Sequence, residues 1–588
     1  MKRILNILFF ALILFPLQAK KDKKSDADQA FDAMKHIEIY NSVLRELEIN
    51  YVDTLKHDKL LKLSLDRMLY GLDPYTSYIP ASDEETLKRL RSGQYGGIGS
   101  IITLVDNKPY LSEPYFGMPA QVNGLQAGDE IIEIDGEKCE GKSISEVSDM
   151  LRGKPHTEIV IKIRRAGENK LIKKAFLRDI IQMPTVPYHA EVADGVGYIV
   201  ILDFIDRTAG DLEKALAELV EKHNISKLIV DLRGNGGGLV SQAVDIASLF
   251  VPKGTEIVSM KGRHQSNSVS YKTKREPLYP NMELLFLVDA NTASSAEILS
   301  GAMQDLDRGD VLGERTFGKG LVQNVRELPY DSYLKVTTAK YYLPSGRCVQ
   351  AIDYANRQNG TTRVIPDSLT KEFRTLKGRI VRDGGGVMPD YLITEEVTYN
   401  ISHYLYLKHI YFKYANRFVS QHPTIAPADK FRLTDEEYID FCTFVKESGF
   451  TYQLESNRYL QELQDMVKME GYDELTKDLF NQLSEQLKPN VENDLVRFRD
   501  DIQEMLELEI VKRYYYQKGT IEYGLRTDKW LKTAVEIYRT KNTNDDFGIA
   551  CGFATYDPDL DKDIEETRHR ADIRMYENKK EIKGFRRE

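Results

Sequence analysis

Cysteine is scarce in this chain of 588 residues, with Cys139, Cys348, Cys442 and Cys551 scattered through separate segments and no CxxC pair among them. That spacing argues against a metal site and against a disulfide framework. The ten histidines form no HExxH, and no GxSxG turn occurs. Neither a zinc-protease helix nor an α/β-hydrolase elbow is expected, and nothing calls for a metal or another cofactor. Basic charge is not in excess either: the formal net charge is −10 and the isoelectric point is near 5.7, with no long basic run outside the amino terminus. A nucleic-acid partner is therefore not expected. Beyond residue 17 no apolar run is long enough to cross a bilayer.

The apolar run that does exist is amino-terminal. Lys2 and Arg3 precede uncharged Ile4 to Leu17, and a cleavage point follows at Ala19. Residues 1–19 read as a secretory signal peptide, which predicts an exported protein, in a bacterium one of the periplasm or cell envelope. Leu17 is larger than the small residue usual three before a cleavage point, so an uncleaved anchor is the alternative. No integral membrane span is expected once the signal is removed.

The chemistry concentrates in DANTASSAEILSGAMQDLDRGDVLGERTFGKGLVQ, residues 289–323. Leu284 to Val288 is a short apolar run that predicts a buried strand, and Ile298, Leu299, Ala302, Met303 and Leu306 recur at helical spacing. Ser294 therefore falls at a strand-to-helix turn. The first N–H groups of a helix have no internal partner, so the Ser295 N–H is placed to hold an oxyanion beside a Ser294 nucleophile. Lys319 lies between Gly318 and Gly320, where backbone can pack closely around it. Burial disfavours the charged form of an amine. A neutral lysine can take the proton of a serine hydroxyl and return it to a leaving amine, as histidine does in the commoner triad. Gln323, four residues on in a predicted strand, shares a face with Lys319 and can orient its amine.

Two other readings compete. A serine at a helix start is most often only an N-cap. Gly313 to Lys319 also fits the GxxxxGK nucleotide loop, which would predict ATP binding. Gly320 stands where that loop needs Ser or Thr, and Leu321 to Leu328 reads as strand where it needs a helix, which argues against it.

A second glycine cluster follows the strand-like run Lys227 to Leu232 in DLRGNGGG, ahead of a helical pattern from Leu239 to Phe250. Glycines here let backbone N–H groups approach a ligand, and Gly237 or Gly238 is the candidate second oxyanion donor. With these blocks in place the chain resembles the carboxyl-terminal processing peptidases, or tail-specific proteases. That family carries its nucleophile in a TASASE-like stretch, its lysine in TFGKG, a glutamine four residues beyond, and a DLRxNxGG turn. Here Thr292 to Glu297 spells TASSAE, and Gly236 replaces a frequent proline; neither change touches the reacting groups. The resemblance runs from about residue 30 to about 395. It implies an α/β core of the fold shared with crotonase-like and Clp-type proteases.

Ahead of that core, SGQYGGIG (92–99) is followed by GMPAQVNGLQAGDEIIEIDGE and SISEVSDMLRG, which look like a PDZ domain. Ser143 with Glu146 makes a capping box, and Ile144, Val147 and Leu151 give the next helix an apolar face. Such a domain adds an extended peptide to a strand edge and holds its terminal carboxylate on glycine-rich backbone N–H groups, here Gly96, Gly97, Ile98 and Gly99.

The expected architecture is thus a multidomain α/β protein. A helical region spans 28–90, the PDZ domain 93–182, the Ser-Lys peptidase core 183–395 and a solvated helical appendage 396–540. An extension of unknown role, 541–588, contains a stretch faintly like the tail of diguanylate cyclase domains but no GGDEF. Within the core, about residues 352–382 form an insertion, and His189 and His223 read as structural. Alternating strands and helices support stacked βα units. The expected function is an exported serine endopeptidase acting on proteins or peptides with free carboxyl termini. A homodimer is possible. The rival is a non-catalytic peptide-binding scaffold on a dead protease core.

Overall fold

The computed structural model describes residues 26–83, 94–182, 184–263, 265–358, 361–393 and 400–541. The signal segment and nearly all of the last extension, with Cys551, lie outside them. Two compact units divide the chain after Tyr78. The first holds two helices, Asp26–Asn50 and His57–Tyr70, in the region expected to be helical.

In the second unit the PDZ region forms an antiparallel sheet in the order Ser100–Val105, Lys108–Pro114, Glu130–Ile134, Glu158–Arg164, Ile172–Leu177. EIVIKIR is strand because its side chains alternate: Ile159, Ile161 and Ile163 are fully buried while Lys162 and Arg164 reach outward to Glu133 and Glu130. Helix Ile144–Leu151 starts at the predicted capping box, Ser143 with Glu146, and buries Val147 and Leu151. It packs beside Ser100–Val105. That strand lies at the sheet's edge, so one side of it is open to pairing.

The core sheet runs His189–Ala193, Val196–Val200, Lys227–Asp231, Glu283–Val288, Gly309–Gly313, Tyr391–Leu392. Its first pair is antiparallel and the rest are parallel. Parallel strands covered on both faces read as continuous apolar runs rather than alternating ones, which is why KLIVD and ELLFLV were legible as buried strands. Helices Thr208–His223, Val240–Ala247 and Ser295–Asp305 cover one face. An antiparallel layer of Glu256–Gly262, Val269–Lys272, Leu321–Leu328 and Ser332–Tyr342 flanks this core. The insertion is two β-hairpins, Ile352–Gln358 with Thr361–Val364 and Glu372–Arg374 with Ile380–Arg382.

The carboxyl-terminal helices are not a solvated appendage. They enclose an apolar core of their own, including Tyr411, Tyr414, Phe418, Phe441, Leu506 and Ile510. Moreover, helix Lys529–Lys541 covers the second face of the core sheet, setting Leu531, Ala534, Ile537 and Tyr538 against Tyr198, Ile229, Leu285, Leu287 and Leu312. The helical region that begins after residue 396 thus packs against the protease core through its last helix.

The Tyr538 ring is buried and its hydroxyl donates to the Leu228 carbonyl at 2.9 Å. Tyr538→Ala is expected to destabilise the chain by about 3–5 kcal/mol in urea unfolding, as for other large aromatic truncations in cores. A loss under about 1 kcal/mol would show that this helix is not part of the core.

Candidate active site

Strand Glu283–Val288 ends in a five-residue turn that delivers Ser294 to the start of helix Ser295–Asp305. The turn is tied inward: the buried Thr292 hydroxyl donates to the Leu232 carbonyl at 2.9 Å, and the Ala293 N–H donates to the Asn235 carbonyl at 2.9 Å. Ser294 has φ 58° and ψ −117°, a region that costs a non-glycine residue about 1–3 kcal/mol and is held only where surroundings over-determine it. Two contacts hold it. The Ser294 N–H donates to Glu297 Oε2 at 2.8 Å, and the Tyr341 hydroxyl donates to the Ser294 carbonyl at 3.2 Å.

Glu297 is fully buried and collects four donors. Beside the Ser294 N–H, its Oε2 accepts from the Lys319 N–H at 2.9 Å; its Oε1 accepts from the Gly318 N–H at 2.7 Å and the Thr316 hydroxyl at 2.5 Å. Burial pushes its carboxyl up, opposed by these four bonds. One carboxylate thus fixes the main chain of both candidate reacting residues. Sequence reading quoted this glutamate without giving it a role, although its position three residues after Ser294 has capping-box spacing. A charged residue in a wholly buried helix was the further signal.

Ser294, Lys319, Gln323 and Gly236, Gly237 and Gly238 all line one cavity of about 920 Å³. Its walls are largely apolar, with Phe204, Leu239, Met260 and Val325 among them, and Asp203 is an unforeseen ionisable group there. Burial pushes the Asp203 carboxyl up, and its bond from the Phe204 N–H pulls it down. His189 and His223 are not among the lining residues; they pair with Glu218 and Glu191.

Gly318 has φ +84°, and a Cβ there would stand 2.4 Å from the Ala351 Cβ. The glycines beside Lys319 therefore serve close packing against the 348–351 segment rather than around the ammonium. Lys319 itself is half-buried and precedes strand Leu321–Leu328. The strand, with no helix after the GK, agrees with the argument against a nucleotide loop.

The described part of the chain matches three family models: peptidase family S41 over residues 195–360, a PDZ domain over 111–165, and a probable PDZ-protease carboxyl-terminal helical domain over 401–538. A carboxy-terminal-processing protease of Bartonella bacilliformis is 34% identical over 321 residues, which cover 54% of this chain and 73% of that protein. The chain belongs to the carboxyl-terminal processing peptidases of family S41. A probable CtpA-like serine protease of Staphylococcus aureus is 31% identical over 352 residues, covering 57% of this peptidase and 70% of that protein. Among solved structures, a photosystem II D1 carboxyl-terminal processing protease is 27% identical and aligns with a TM-score of 0.35, over 60% of this chain and 86% of that one.

Within the peptidase, two expectations for individual residues need correction. Gln323 and Lys319 share the cavity, but not through strand alternation, because Lys319 lies before the strand and a bulge falls between Val322 and Gln323. The Gln323 amide donates to the Thr337 hydroxyl at 3.2 Å. The Gly237 N–H is not available to an oxyanion: it donates to Asn235 Oδ1 at 2.8 Å. Its glycine character serves another purpose, since a Cβ there would lie 2.6 Å from the Ser294 Cβ. Gly238 differs. The bonds Phe204 N–H to Gly237 O and Leu239 N–H to Phe204 O bracket it and leave its own N–H outside that ladder. Ser295 is buried, and its hydroxyl donates to the Gly238 carbonyl at 2.8 Å, tying the two oxyanion candidates together.

In the PDZ region, Gly96 and Gly97 are not loop residues. They end a strand, Gln94–Gly97, paired with Asp179–Gln182. A Cβ at Gly96 would meet the Gly153 carbonyl at 2.0 Å, so backbone packing explains that glycine. Ile98 is buried, and Gly99, with φ +73°, makes the turn into the edge strand.

Glu297→Gln leaves one accepting oxygen for four donors and turns an amide N–H₂ toward N–H groups. A stability loss of about 2–4 kcal/mol is expected in denaturant unfolding. A neutral result would mean that the carboxylate is not the anchor.

Proposed function

We propose that the peptidase hydrolyses peptide bonds with Ser294 as nucleophile and Lys319 as base, on substrates recognised by their free carboxyl termini. The observation that carries this reading is the shared carboxylate: Glu297 holds the main chains of Ser294 and Lys319, and both residues line one cavity. The Ser294 oxygen attacks the scissile carbonyl carbon while its proton passes to the Lys319 amine. The Ser295 and Gly238 N–H groups receive the developing oxyanion. Collapse of the tetrahedral intermediate breaks the C–N bond, and the lysine proton goes to the leaving amine. Water then attacks the acyl-enzyme, giving a proton to Lys319; as the ester C–O bond breaks, Lys319 returns that proton to the Ser294 oxygen, leaving free serine, a neutral amine and a carboxylic acid. Gln323 orients the amine from within the cavity.

The open side of Ser100–Val105 beside helix Ile144–Leu151 accepts the substrate tail as an added strand, with its carboxylate near Ile98 and Gly99. The charged start Lys2-Arg3 and the apolar run to Leu17 support export, in a bacterium to the periplasm or cell envelope.

Degradation of an unfolded protein with a free tail by the native chain, Ser294→Ala and Lys319→Ala is the direct test. Each substitution should lower kcat by about 10³-fold or more. Equal degradation by all three would reject the reading, and no degradation by the native chain would favour a binding scaffold. An amidated tail on the same substrate is expected to raise KM; equal cleavage of free and blocked tails would reject carboxylate recognition alone.

A further inference from the structure

The turn that carries Gly238 is anchored on two sides. Inward, the buried Asn235 amide donates to the Ile201 carbonyl at 2.7 Å, while its backbone carbonyl receives the Ala293 N–H. Outward, the anchor is Arg233, whose guanidinium is divided between two carboxylates. Its Nε donates to both oxygens of Asp231 at 3.0 Å, and its Nη2 donates to Asp231 Oδ2 at 2.5 Å and to Asp528 Oδ2 at 2.6 Å. The Tyr198 hydroxyl completes the set, donating to Asp231 at 2.5 Å.

Asp528 comes from the far end of the chain. Its Oδ1 also accepts the N–H groups of Trp530 and Leu531 at 2.9 and 3.0 Å, opening helix Lys529–Lys541. The Trp530 ring lies under the guanidinium, 5.3 Å from centroid to Cζ. One side chain therefore joins the start of the helix that covers the core sheet to a residue five positions before Gly238. Burial alone would lower the pKa of Arg233, but the two carboxylates outweigh it and the group stays charged. A fork with two carboxylate partners has its orientation set by both.

We propose that Asp528 is a positioning residue for the peptidase reaction: through Arg233 it fixes the glycine turn that presents the Gly238 N–H to the oxyanion. The inference rests on the Ser294–Lys319 reading and adds to it that the carboxyl-terminal helical region is part of the catalytic apparatus. Asp528 touches no substrate; it acts through Arg233.

Asp528→Asn in the full-length protein separates the two jobs of this side chain. Asparagine caps a helix as well as aspartate does, so the helix keeps its start while the charge on Arg233 is lost. Outright removal of an oxyanion donor costs about 10²–10³ in kcat; loosening its turn should cost about tenfold, with KM within twofold. Affinity for a peptidyl boronic acid, which forms a tetrahedral adduct on the serine oxygen, should fall in the same proportion, while binding of a free-tailed peptide is unchanged. Arg233→Lys should reproduce the kcat loss, and the double variant should lose no more than either single one. A kcat within twofold of the native value, an unaltered boronate affinity, or losses that multiply in the double variant would overturn the proposal. Asp528→Ser, which also caps, replaces the asparagine variant if that one does not fold. The Ser294→Ala control separates the two failures: an active Ser294→Ala removes the dyad reading, whereas an inactive one beside a fully active Asp528→Asn removes only the role of Asp528.

Discussion

A carboxylate with no access to water sits between Ser294 and Lys319, and the local structure follows from satisfying it. Stripping Glu297 of solvent is costly, and the four donors that meet it offset that cost only if each arrives at bonding distance. Ser294, Gly318 and Lys319 must therefore present their N–H groups, and Thr316 its hydroxyl, to one point. The bond from the Ser294 N–H to this charged acceptor, roughly 1.5–3 kcal/mol, is comparable with the strain of the positive φ at Ser294.

Fixing main chains rather than side chains has a chemical advantage. Under the proposed mechanism the Ser294 hydroxyl and the Lys319 amine exchange a proton, and a partner that competed for that proton would have to be displaced. A partner bound to their backbones holds position without entering the proton transfer. The surrounding glycines serve the same end by removing bulk where the three segments converge: Gly237 against Ser294, and Gly318 against Ala351. Arg347, fully buried and 2.8 Å from Asp305 at the other end of helix Ser295–Asp305, holds the 347–351 segment against that convergence. Removing one member of such a pair would leave an uncompensated buried charge.

How much of this was legible in the sequence depends on the range of the interaction concerned. Local signals read well: the capping box at Ser143 and the apolar strands of the core occur where their patterns place them. So did the strand after Lys319, which argues against the nucleotide loop. Signals that depend on a distant partner did not read. Gly96 looks like a loop glycine until Gly153 is seen beside it, and Gly237 looks like an oxyanion donor until Asn235 takes its N–H. Lys319 and Gln323 share a cavity because of a bulge, and a bulge has no period to detect. The helix beginning at Lys529 carries Leu531, Ala534 and Tyr538 at ordinary amphipathic spacing, but nothing in that spacing says that the surface it meets is the back of a sheet some 300 residues earlier.

The carboxyl-terminal helices make two contacts of different kinds. Against the core sheet they bury a continuous apolar face and a tyrosine whose hydroxyl serves two strand carbonyls. Against the PDZ region they offer edge contacts and exposed polar pairs: Tyr110 on Phe412 at 5.4 Å between ring centres, Phe116 on Tyr516 at 5.8 Å, and Lys413 with Asp106 at 2.8 Å. The last pair is largely solvated, and such pairs contribute about 0–1 kcal/mol. The helix that meets Phe116 is broken at that point, Tyr516 having φ 55° within an otherwise helical stretch. Burial distinguishes the two seams: the one with the core sheet is a continuous apolar face, and the one with the PDZ region is a set of separate ring and ion-pair contacts.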